Sequence, residues 1–288
     1  MNLVSLFNGM NTGRQALENV GIKVNKYYSS EIKPYAIELT QHHFPDTIQV
    51  GDVTKWREWD IDWKSIDLIL SGSPCQDLSA AGKRAGINGK KSSLFFVFVD
   101  ILNHIKSLNP NVLFLQENVG SASKLDVGIM SRALGVYPVR INSKLVTAQL
   151  RDRYYWSNIR TKETMFDLVT DIPQPKDKGI MFKDIITSGE TKREKSNCLT
   201  EGLIEKVGRH KVKDFNRWQK MLLKRPPSMV ILVYENENVR LPNKIEMCRL
   251  QGFPDNYCDI LNDRKAGSLL GDGWTLPVIE HIFSFINK

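Results

Sequence analysis

Cys75 has the residue type and the placement that nucleophilic chemistry needs. It follows Pro74 in residues 71–76, directly after an apolar run at residues 66–70 that predicts a buried strand. Ligands and reactive groups of open α/β sheets collect at the carboxyl ends of the strands, so a cysteine in that loop is a candidate nucleophile. A cysteine that packs in a tight turn is the alternative, and these six residues alone favour it.

A carboxylate lies at the end of a second predicted strand. Residues 111–116 are largely apolar, and Glu117 follows them at the carboxyl end. We therefore expect Glu117 at the same sheet edge as Cys75.

Three polar residues alternate ahead of an aromatic strand predicted at residues 154–156. Alternation along a strand predicts that Gln149, Arg151 and Arg153 share one side. Three polar side chains on one side suggest a binding site for an anion or a nucleic-acid base. A solvated strand edge is the alternative.

The first fifty residues predict the repeating units of a nucleotide-type fold. A strand at residues 2–7, a turn with two glycines and a helix at residues 14–20 form the first unit. A second strand, residues 24–30, ends in Glu31, where such folds hold ribose hydroxyls. A plain turn and a solvated glutamate are the alternatives. After a third short strand, Asp52 is placed to accept a hydrogen bond from an adenine amino group.

Further elements are predicted along the rest of the chain. The patterns indicate a hairpin region at residues 136–145 and helices at residues 34–43, 93–105, 121–134 and 244–251. Residues 271–278 open a final amphipathic helix that is predicted to run to residue 286. The polar loop at residues 81–91 is predicted to be a lid or a DNA-contacting loop.

Composition narrows the class of protein. The 288 residues carry 40 Lys and Arg against 32 Asp and Glu, a net charge of +8 that favours an anionic partner. The four cysteines show no CxxC pairing, so neither a zinc site nor a disulfide framework is indicated. No apolar run approaches a membrane span and no signal peptide is evident, which predicts a reducing, cytoplasmic location.

The excess positive charge is concentrated in one segment. Residues 176–225 hold fourteen Lys and Arg and seven Asp and Glu, nearly the whole excess of the chain. Localised charge indicates a nucleic-acid surface better than a diffuse excess does. The apolar residues Phe215, Trp218 and Leu222 share one helix face there, which favours packing over base stacking.

Taken together and in order, these segments resemble the DNA cytosine-5 methyltransferases that use S-adenosylmethionine, in their usual non-permuted arrangement. The likeness runs from end to end except across the basic segment. Its motifs are Phe7-Asn8-Gly9, Glu31, Gly51-Asp52-Val53, Ser73-Pro74-Cys75-Gln76, Glu117-Asn118-Val119, Gln149-x-Arg151-x-Arg153, Arg249-Leu250-Gln251-Gly252-Phe253-Pro254 and residues 271–278.

Some motif details look like the vertebrate de novo DNA methyltransferases. These are residues 74–79, Leu94-Phe95-Phe96-x-Phe98, residues 151–156 and Trp274-x-x-Pro277-Val278-Ile279. The compact length looks more like a bacterial or phage enzyme. The first motif departs from the bacterial pattern, because Met10-Asn11-Thr12 stands where a Gly-rich run is usual.

The resemblance implies a fold and a division of the chain. The fold is α/β: a Rossmann-like class I methyltransferase sheet with helices on both faces, plus a small target-recognition lobe. Residues 1–158 would form the catalytic and cofactor-binding domain and residues 159–238 the recognition lobe. Residues 239–288 would return to the catalytic domain.

It also implies catalytic roles. Cys75 would add to C6 of a cytosine flipped out of duplex DNA, and Glu117 would act at N3 as a protonated or proton-sharing acid. Arg151 would donate to the cytosine O2, and Arg153 would support Glu117 or a phosphate. No single base for the C5 proton is implied, and a water molecule is one candidate.

The cofactor pocket is implied residue by residue. Phe7 would face the adenine, Glu31 hold the ribose and Asp52 bind the adenine amine. The full set expected to bind S-adenosylmethionine is Phe7, Asn8, Gly9, Met10, Asn11, Thr12, Glu31, Ile32, Asp52, Val53, Pro74, Leu94, Asp272, Gly273 and Trp274. No metal is expected.

Two other functions compete with this interpretation. A catalytically silent DNA-binding homologue would have lost the nucleophile or the acid, but Cys75, Glu117 and Arg151 are all present. A tRNA cytosine-5 methyltransferase would carry a Cys-Phe-Thr element, which the sequence lacks. An enzyme that methylates amino groups would show a Pro-Pro-aromatic motif in place of Pro74-Cys75.

Overall fold

The computed structural model describes residues 1–74, 93–200, 230–236 and 238–286. Cys75, the loop at residues 81–91 and residues 201–225 of the basic segment lie outside the described residues. Every residue of the predicted apolar helix face, Phe215, Trp218 and Leu222, falls in that second gap.

The chain divides into two compact units. The first unit contains Met1–Ile141, Asp152–Gln174 and Ile279–Lys288, and the second contains Asn142–Arg151 and Pro175–Val278. The predicted functional domains, 1–158, 159–238 and 239–288, stay a prediction.

A seven-stranded sheet forms the framework of the first unit. Its order is β3-β2-β1-β4-β5-β7-β6; β3, β2, β1, β4 and β5 are parallel, and β7 runs antiparallel to β5. The predicted α/β class with a Rossmann-like sheet is confirmed. The strands are β1 Asn2–Leu6, β2 Lys26–Ser30, β3 Ile48–Gln49, β4 Leu68–Ser71, β5 Leu113–Val119, β6 Val139–Asn142 and β7 Asp152–Ser157.

Four helices flank these strands in the sequence. They are α1 Thr12–Asn19, α2 Pro34–His43, α3 Leu94–Leu108 and α4 Lys124–Leu134. α3 buries Phe95, Phe98 and Leu102 in the same apolar cluster as Phe114 of β5. Strands buried on both faces read as continuous apolar runs, which is why β4 was recognisable in the sequence.

Gly13 allows α1 to approach the sheet closely. A Cβ atom at this position would lie 2.4 Å from Cδ1 of Leu70 in β4, a distance that no real contact reaches. The second glycine of the turn is therefore needed for helix–strand packing.

The second unit is built from helices and short strands. They are a hairpin of β10 Val233–Glu235 and β11 Asn238–Arg240, a 3-10 helix at Phe182–Asp184, and α5 Lys244–Gln251 and α6 Asp263–Asp272. The final helix, α7 Leu276–Phe283, begins in this unit and ends in the first. A second hairpin, β8 Thr161–Glu163 with β9 Leu168–Thr170, belongs to the first unit.

The predicted bounds of α5 are confirmed, but α6 was missed. Asn262 caps α6 by accepting a hydrogen bond from the Lys265 amide. Gly267 and Gly271 lie inside the helix and weaken its sequence signal. Among the described residues, no helix is long and apolar enough to cross a membrane, and no group of His, Cys, Asp and Glu is suited to a metal ion.

Candidate active site

Strand register aligns the carboxyl ends of four parallel strands. Leu6 of β1 pairs with both Ser30 of β2 and Ser71 of β4, and Ser71 pairs with Gln116 of β5. The chain leaves β4 at Gly72, so the segment that leads to Cys75 starts beside the end of β5. The sequence expectation that both candidate catalytic segments belong to one sheet edge agrees with this register.

Glu117 forms an ion pair with Arg153 at that edge. Glu117 lies opposite Tyr155 in the β5–β7 pairing and Arg153 lies opposite Val119, so the two charged residues are diagonal neighbours on one face. The Nε atom of Arg153 is 2.8 Å from Oε1 of Glu117, and the side chains are only 14% and 11% exposed. A partly buried, charge-assisted contact of this kind fixes the orientation of the carboxylate.

Arg151 has different partners, all in the second unit. Arg151 is 3% exposed, and its guanidinium donates to the carbonyl oxygens of Leu199 (2.8 Å), Gly271 (3.1 Å) and Gly273 (2.7 Å). It also contacts Sγ of Cys198 at 3.2 Å. The structure thus gives Arg151 a framework of backbone contacts within the second unit, and its contact to the cytosine stays a prediction.

The prediction that Gln149, Arg151 and Arg153 share one side of a strand is wrong. β7 begins only at Asp152, so strand alternation does not reach Gln149 or Arg151. The Gln149 side chain donates to the Leu250 carbonyl and to the Gln251 side chain, and it accepts from the Leu199 amide. Gln149 and Arg151 therefore belong to the buried polar framework of the second unit.

The turn after β1 has a strained backbone. Phe7 (φ 54°), Gly9 (φ 58°) and Asn11 (φ 64°) all occupy the left-handed region. A bulky residue such as Phe7 adopts this conformation at a cost of about 1–3 kcal/mol, and such strain concentrates at ligand-binding sites. The turn is held by the Gly9 amide, which donates to Oε2 of Glu31 at 2.8 Å.

Glu31 is oriented by backbone amides, and its neighbour Ile32 is open to solvent. Oε1 of Glu31 accepts hydrogen bonds from the amides of Ile32 (2.8 Å) and Lys33 (2.9 Å). The Ile32 side chain is 71% exposed. An apolar ring placed against Ile32 would remove this surface from water, which is favourable.

The polar residues of the turn divide into two groups. The Asn8 side chain accepts from the Tyr27 hydroxyl at 3.0 Å and donates to Thr40 at 3.4 Å, so it braces the turn. Burial raises the pKa of Tyr27, which keeps its hydroxyl a donor at neutral pH. Asn11 is fully buried, yet neither polar atom of its side chain has a hydrogen-bond partner among the described residues. A buried amide without partners indicates a site that a polar ligand group completes.

The other expected cofactor residues are distributed over both units. In the first unit, Asp52 caps a 3-10 helix at Val53–Glu58 through Oδ1, which accepts from the Thr54 amide and hydroxyl. Val53, Met10 and Thr12 are buried, whereas Pro74 and Leu94 are partly exposed. Asp272, Gly273 and Trp274 lie in the second unit, at the junction of α6 and α7.

A family model decides which class of protein this site belongs to. The model of the C-5 cytosine-specific DNA methylases matches residues 1–288. The chain belongs to this family. The resemblance stated from the sequence is therefore confirmed at the level of the family.

Bacterial and phage relatives of this methylase family differ in length from the chain. The orphan methyltransferase M.Rho11sI of Bacillus phage rho11s is 30% identical over 212 residues, which cover 68% of this chain and 39% of that protein. The type II methyltransferase M1.ScrFI of Lactococcus lactis subsp. cremoris is 26% identical, with 97% of this chain and 76% of that protein covered. The match to M.Rho11sI thus spans less than half of that relative.

Solved structures of methyltransferases share the fold over nearly the whole chain. The Entamoeba histolytica methyltransferase EhMeth has a TM-score of 0.69 at 16% identity, covering 99% of this chain and 97% of that one. The S. pombe Dnmt2 methyltransferase has a TM-score of 0.66 at 15% identity, covering 99% and 98%. At these identities the likeness shows the fold alone.

Sequence reasoning about this family missed Gln116. A glutamine directly after the apolar residues 113–115 of a buried strand was the available signal, because buried amides need partners. In the structure Gln116 is fully buried, and its side-chain amide donates a hydrogen bond to the backbone carbonyl of Glu117.

Proposed function

We propose that this protein transfers a methyl group from S-adenosylmethionine to C5 of cytosine in duplex DNA. The observation that carries the proposal is the Glu117–Arg153 ion pair at the sheet edge from which the chain enters the Cys75 segment. Membership of the C-5 cytosine DNA methylase family supports the same reaction.

Cys75 acts as the nucleophile in this proposal. C5 of cytosine is a poor nucleophile, so the Cys75 thiolate first forms a bond to C6, and the electrons of the C5–C6 double bond make C5 enamine-like. S-adenosylmethionine would supply the electrophilic methyl group for C5, and its S–CH3 bond would break to leave S-adenosylhomocysteine. Loss of the C5 proton to a base, with water as the candidate, restores the double bond and expels the thiolate.

Glu117 and Arg153 stabilise the charge that develops on the ring. A proton shared between Glu117 and N3 neutralises the negative charge that thiolate addition creates. Arg153 is ion-paired with the carboxylate of Glu117. Its guanidinium is therefore better placed than that of Arg151 to donate to the cytosine O2. We accordingly transfer that role from Arg151 to Arg153 and give Arg151 a supporting role in the second unit.

The target base must leave the DNA duplex before this chemistry starts. C5 and C6 are enclosed in a stacked duplex, and enzymes that modify a base extrude it into their pocket. The loop at residues 81–91 and the basic segment at residues 176–225 are the proposed sources of the groups that fill the gap and hold phosphates.

The residues of the turn fit S-adenosylmethionine. Glu31 would accept from the ribose hydroxyls, Ile32 would cover the adenine ring together with Phe7, and Asp52 would accept from the adenine amine. The side-chain amide of Asn11 lacks partners in the described part of the chain and is proposed to bind the charged methionine end. Gly9, Met10, Thr12, Val53, Pro74 and Leu94 complete the set proposed for the first unit.

Glu31→Ala is expected to weaken S-adenosylmethionine binding about tenfold or more, because it removes the ribose acceptor and the brace of the Gly9 amide. Trp274→Ala is expected to act in the same direction, an assignment that rests on the family resemblance. Calorimetric titration with the cofactor checks both variants, and DNA affinity should change less. Glu38→Ala is the control, because it removes a carboxylate of α2 that is not among the residues proposed to bind the cofactor. Unchanged cofactor affinity in both variants would show that the pocket is assigned to the wrong residues.

The basic segment is proposed to bind phosphates without reading bases. Neutralising Arg209, Lys211 and Lys213 together should weaken binding to all duplexes alike. The slope of log affinity against log salt should flatten by up to about 0.9 for each phosphate that the protein no longer neutralises. Binding titrations at several salt concentrations measure both effects. An unchanged slope would favour a solvated helix face, and a weakening confined to the target sequence would show that these residues read bases.

The direct test of function is expression in a host that lacks cytosine methylation, followed by bisulfite sequencing of the host DNA. Conversion-resistant cytosines at a defined sequence are expected, and they give the target together with its flanking preference. Fully converted DNA with methylated tRNA would establish the tRNA alternative. No methylation of either, with retained DNA binding, would establish the silent homologue.

A further inference from the structure

A fully buried amide bridges the two catalytic segments. Gln116 in β5 donates through Nε2 to the hydroxyl oxygen of Ser73 at 2.9 Å and to the backbone carbonyl of Glu117 at 2.8 Å. One group therefore contacts the candidate acid's own backbone and a residue two positions before Cys75. Because the Glu117 carbonyl can only accept, the nitrogen of this amide is the atom that faces it.

A second amide holds the same hydroxyl. Asn118 donates through Nδ2 to Ser73 at 3.4 Å, and its Oδ1 accepts from the Val119 amide at 2.8 Å. Ser73, Gln116 and Asn118 are all buried. The Ser73 hydroxyl is thus held from the strand that carries Glu117, just after the chain leaves β4.

The bridge is not arranged for stability alone. Among the residues that the structure describes, Oε1 of Gln116 is buried without a hydrogen-bond partner, and so is Oγ of Ser71, its register neighbour in β4. An unsatisfied buried polar atom is destabilising, and an apolar side chain of similar shape would avoid that cost. A glutamine at this position therefore indicates a role in placing other groups.

We infer that Gln116 is a positioning residue, which through Ser73 holds the chain that leaves β4 in place beside the strand that carries Glu117. The inference rests on the proposed function. Pro74 transmits the placement, because proline fixes its own φ and restricts the residue before it. A thiolate and an acid must hold the same pyrimidine ring at C6 and N3, so a small error in their separation slows addition. Misplacement by about 1 Å costs about 10²-fold in rate.

The test is a double-mutant cycle with Gln116→Met, Ser73→Ala and the double variant. Each single variant should lower the single-turnover rate of methyl transfer by about 10- to 100-fold. The affinities for S-adenosylmethionine and DNA should stay within about twofold, because neither residue is proposed to touch them. The double variant should lose less than the product of the single losses, because the two residues act through one contact. Duplex DNA containing 5-fluorocytosine, which traps the covalent adduct, should show that the slowed step is addition.

Ser157→Ala is the matched control, since it removes a buried hydroxyl that donates to the Phe114 carbonyl at the other end of β5. This variant should lose thermal stability with an unchanged transfer rate. Gln116→Met with a normal rate of adduct formation overturns the inference, and so do strictly multiplicative losses in the cycle. If Cys75→Ser also retains methylation, the proposed function has failed; if Cys75→Ser is inactive, only the role of Gln116 has failed.

Discussion

Cys75→Ser is expected to abolish methylation of duplex DNA while the cofactor and DNA still bind. The serine hydroxyl is far less ionised than the thiol near neutral pH, and it is a much weaker nucleophile toward C6. The change replaces a single atom, so the pocket keeps its shape. Transfer of a labelled methyl group into duplex DNA measures the loss, and equilibrium titrations measure the two affinities.

Cys258→Ser supplies the control for this exchange. Cys258 is a free, buried cysteine of the second unit, and the neighbouring Cys248 together with burial raises the pKa of its thiol. The same replacement there should lower stability and leave the turnover of folded protein near that of the wild type. Turnover of Cys75→Ser within tenfold of the wild type would remove Cys75 from the role of nucleophile.

The parallel part of the fold was predictable from local patterns. β4 is four residues long and buried throughout, and it is followed by a turn-forming segment, so both its existence and its exit point were visible in the sequence. α5 was predicted with its bounds because Asn243 and Glu246 form a capping box and Gly252 ends the helix in the left-handed region. These signals lie within a few residues of the element they define.

The role of Arg151 depends on contacts that no local pattern contains. Its acceptors are the carbonyls of residues 199, 271 and 273, which are 48 to 122 positions away in the sequence. Alternation predicts a shared side only where a strand exists, and β7 starts one residue after Arg151. The family motif was therefore recognised from the sequence, whereas the backbone contacts of Arg151 were not predicted.

The Glu117–Arg153 pair was only partly predictable. A supporting role of Arg153 toward Glu117 was expected from the resemblance, and the ion pair agrees with it. The geometric reason is the antiparallel pairing of β7 with β5, which places the two residues diagonally on one face. Sequence patterns predicted the two strands but not the register between them. The distance between Glu117 and Arg153 could therefore be known only from the structure.

Glu117→Gln is expected to keep DNA binding and slow methyl transfer by about 10² or more, the usual size of an acid–base contribution. The amide fills the same space and can still donate to N3, but it cannot deliver a proton there as charge develops. It also exchanges the ion pair with Arg153 for a neutral contact, so the guanidinium is held less firmly where it would donate to O2. Single-turnover kinetics with saturating DNA separate this loss from a change in binding.

Asp126→Asn is the matched control, because Asp126 is an equally buried carboxylate of the first unit that contacts the hydroxyl of Ser123 at the start of α4. This variant should lose helix-capping stability and keep its transfer rate. Arg153→Lys should reproduce much of the Glu117→Gln loss, since a lysine keeps the charge but cannot contact the carboxylate and O2 with one planar group. A normal single-turnover rate for Glu117→Gln would show that Glu117 is not the acid. A normal rate for Arg153→Lys would show that another group donates to the cytosine O2.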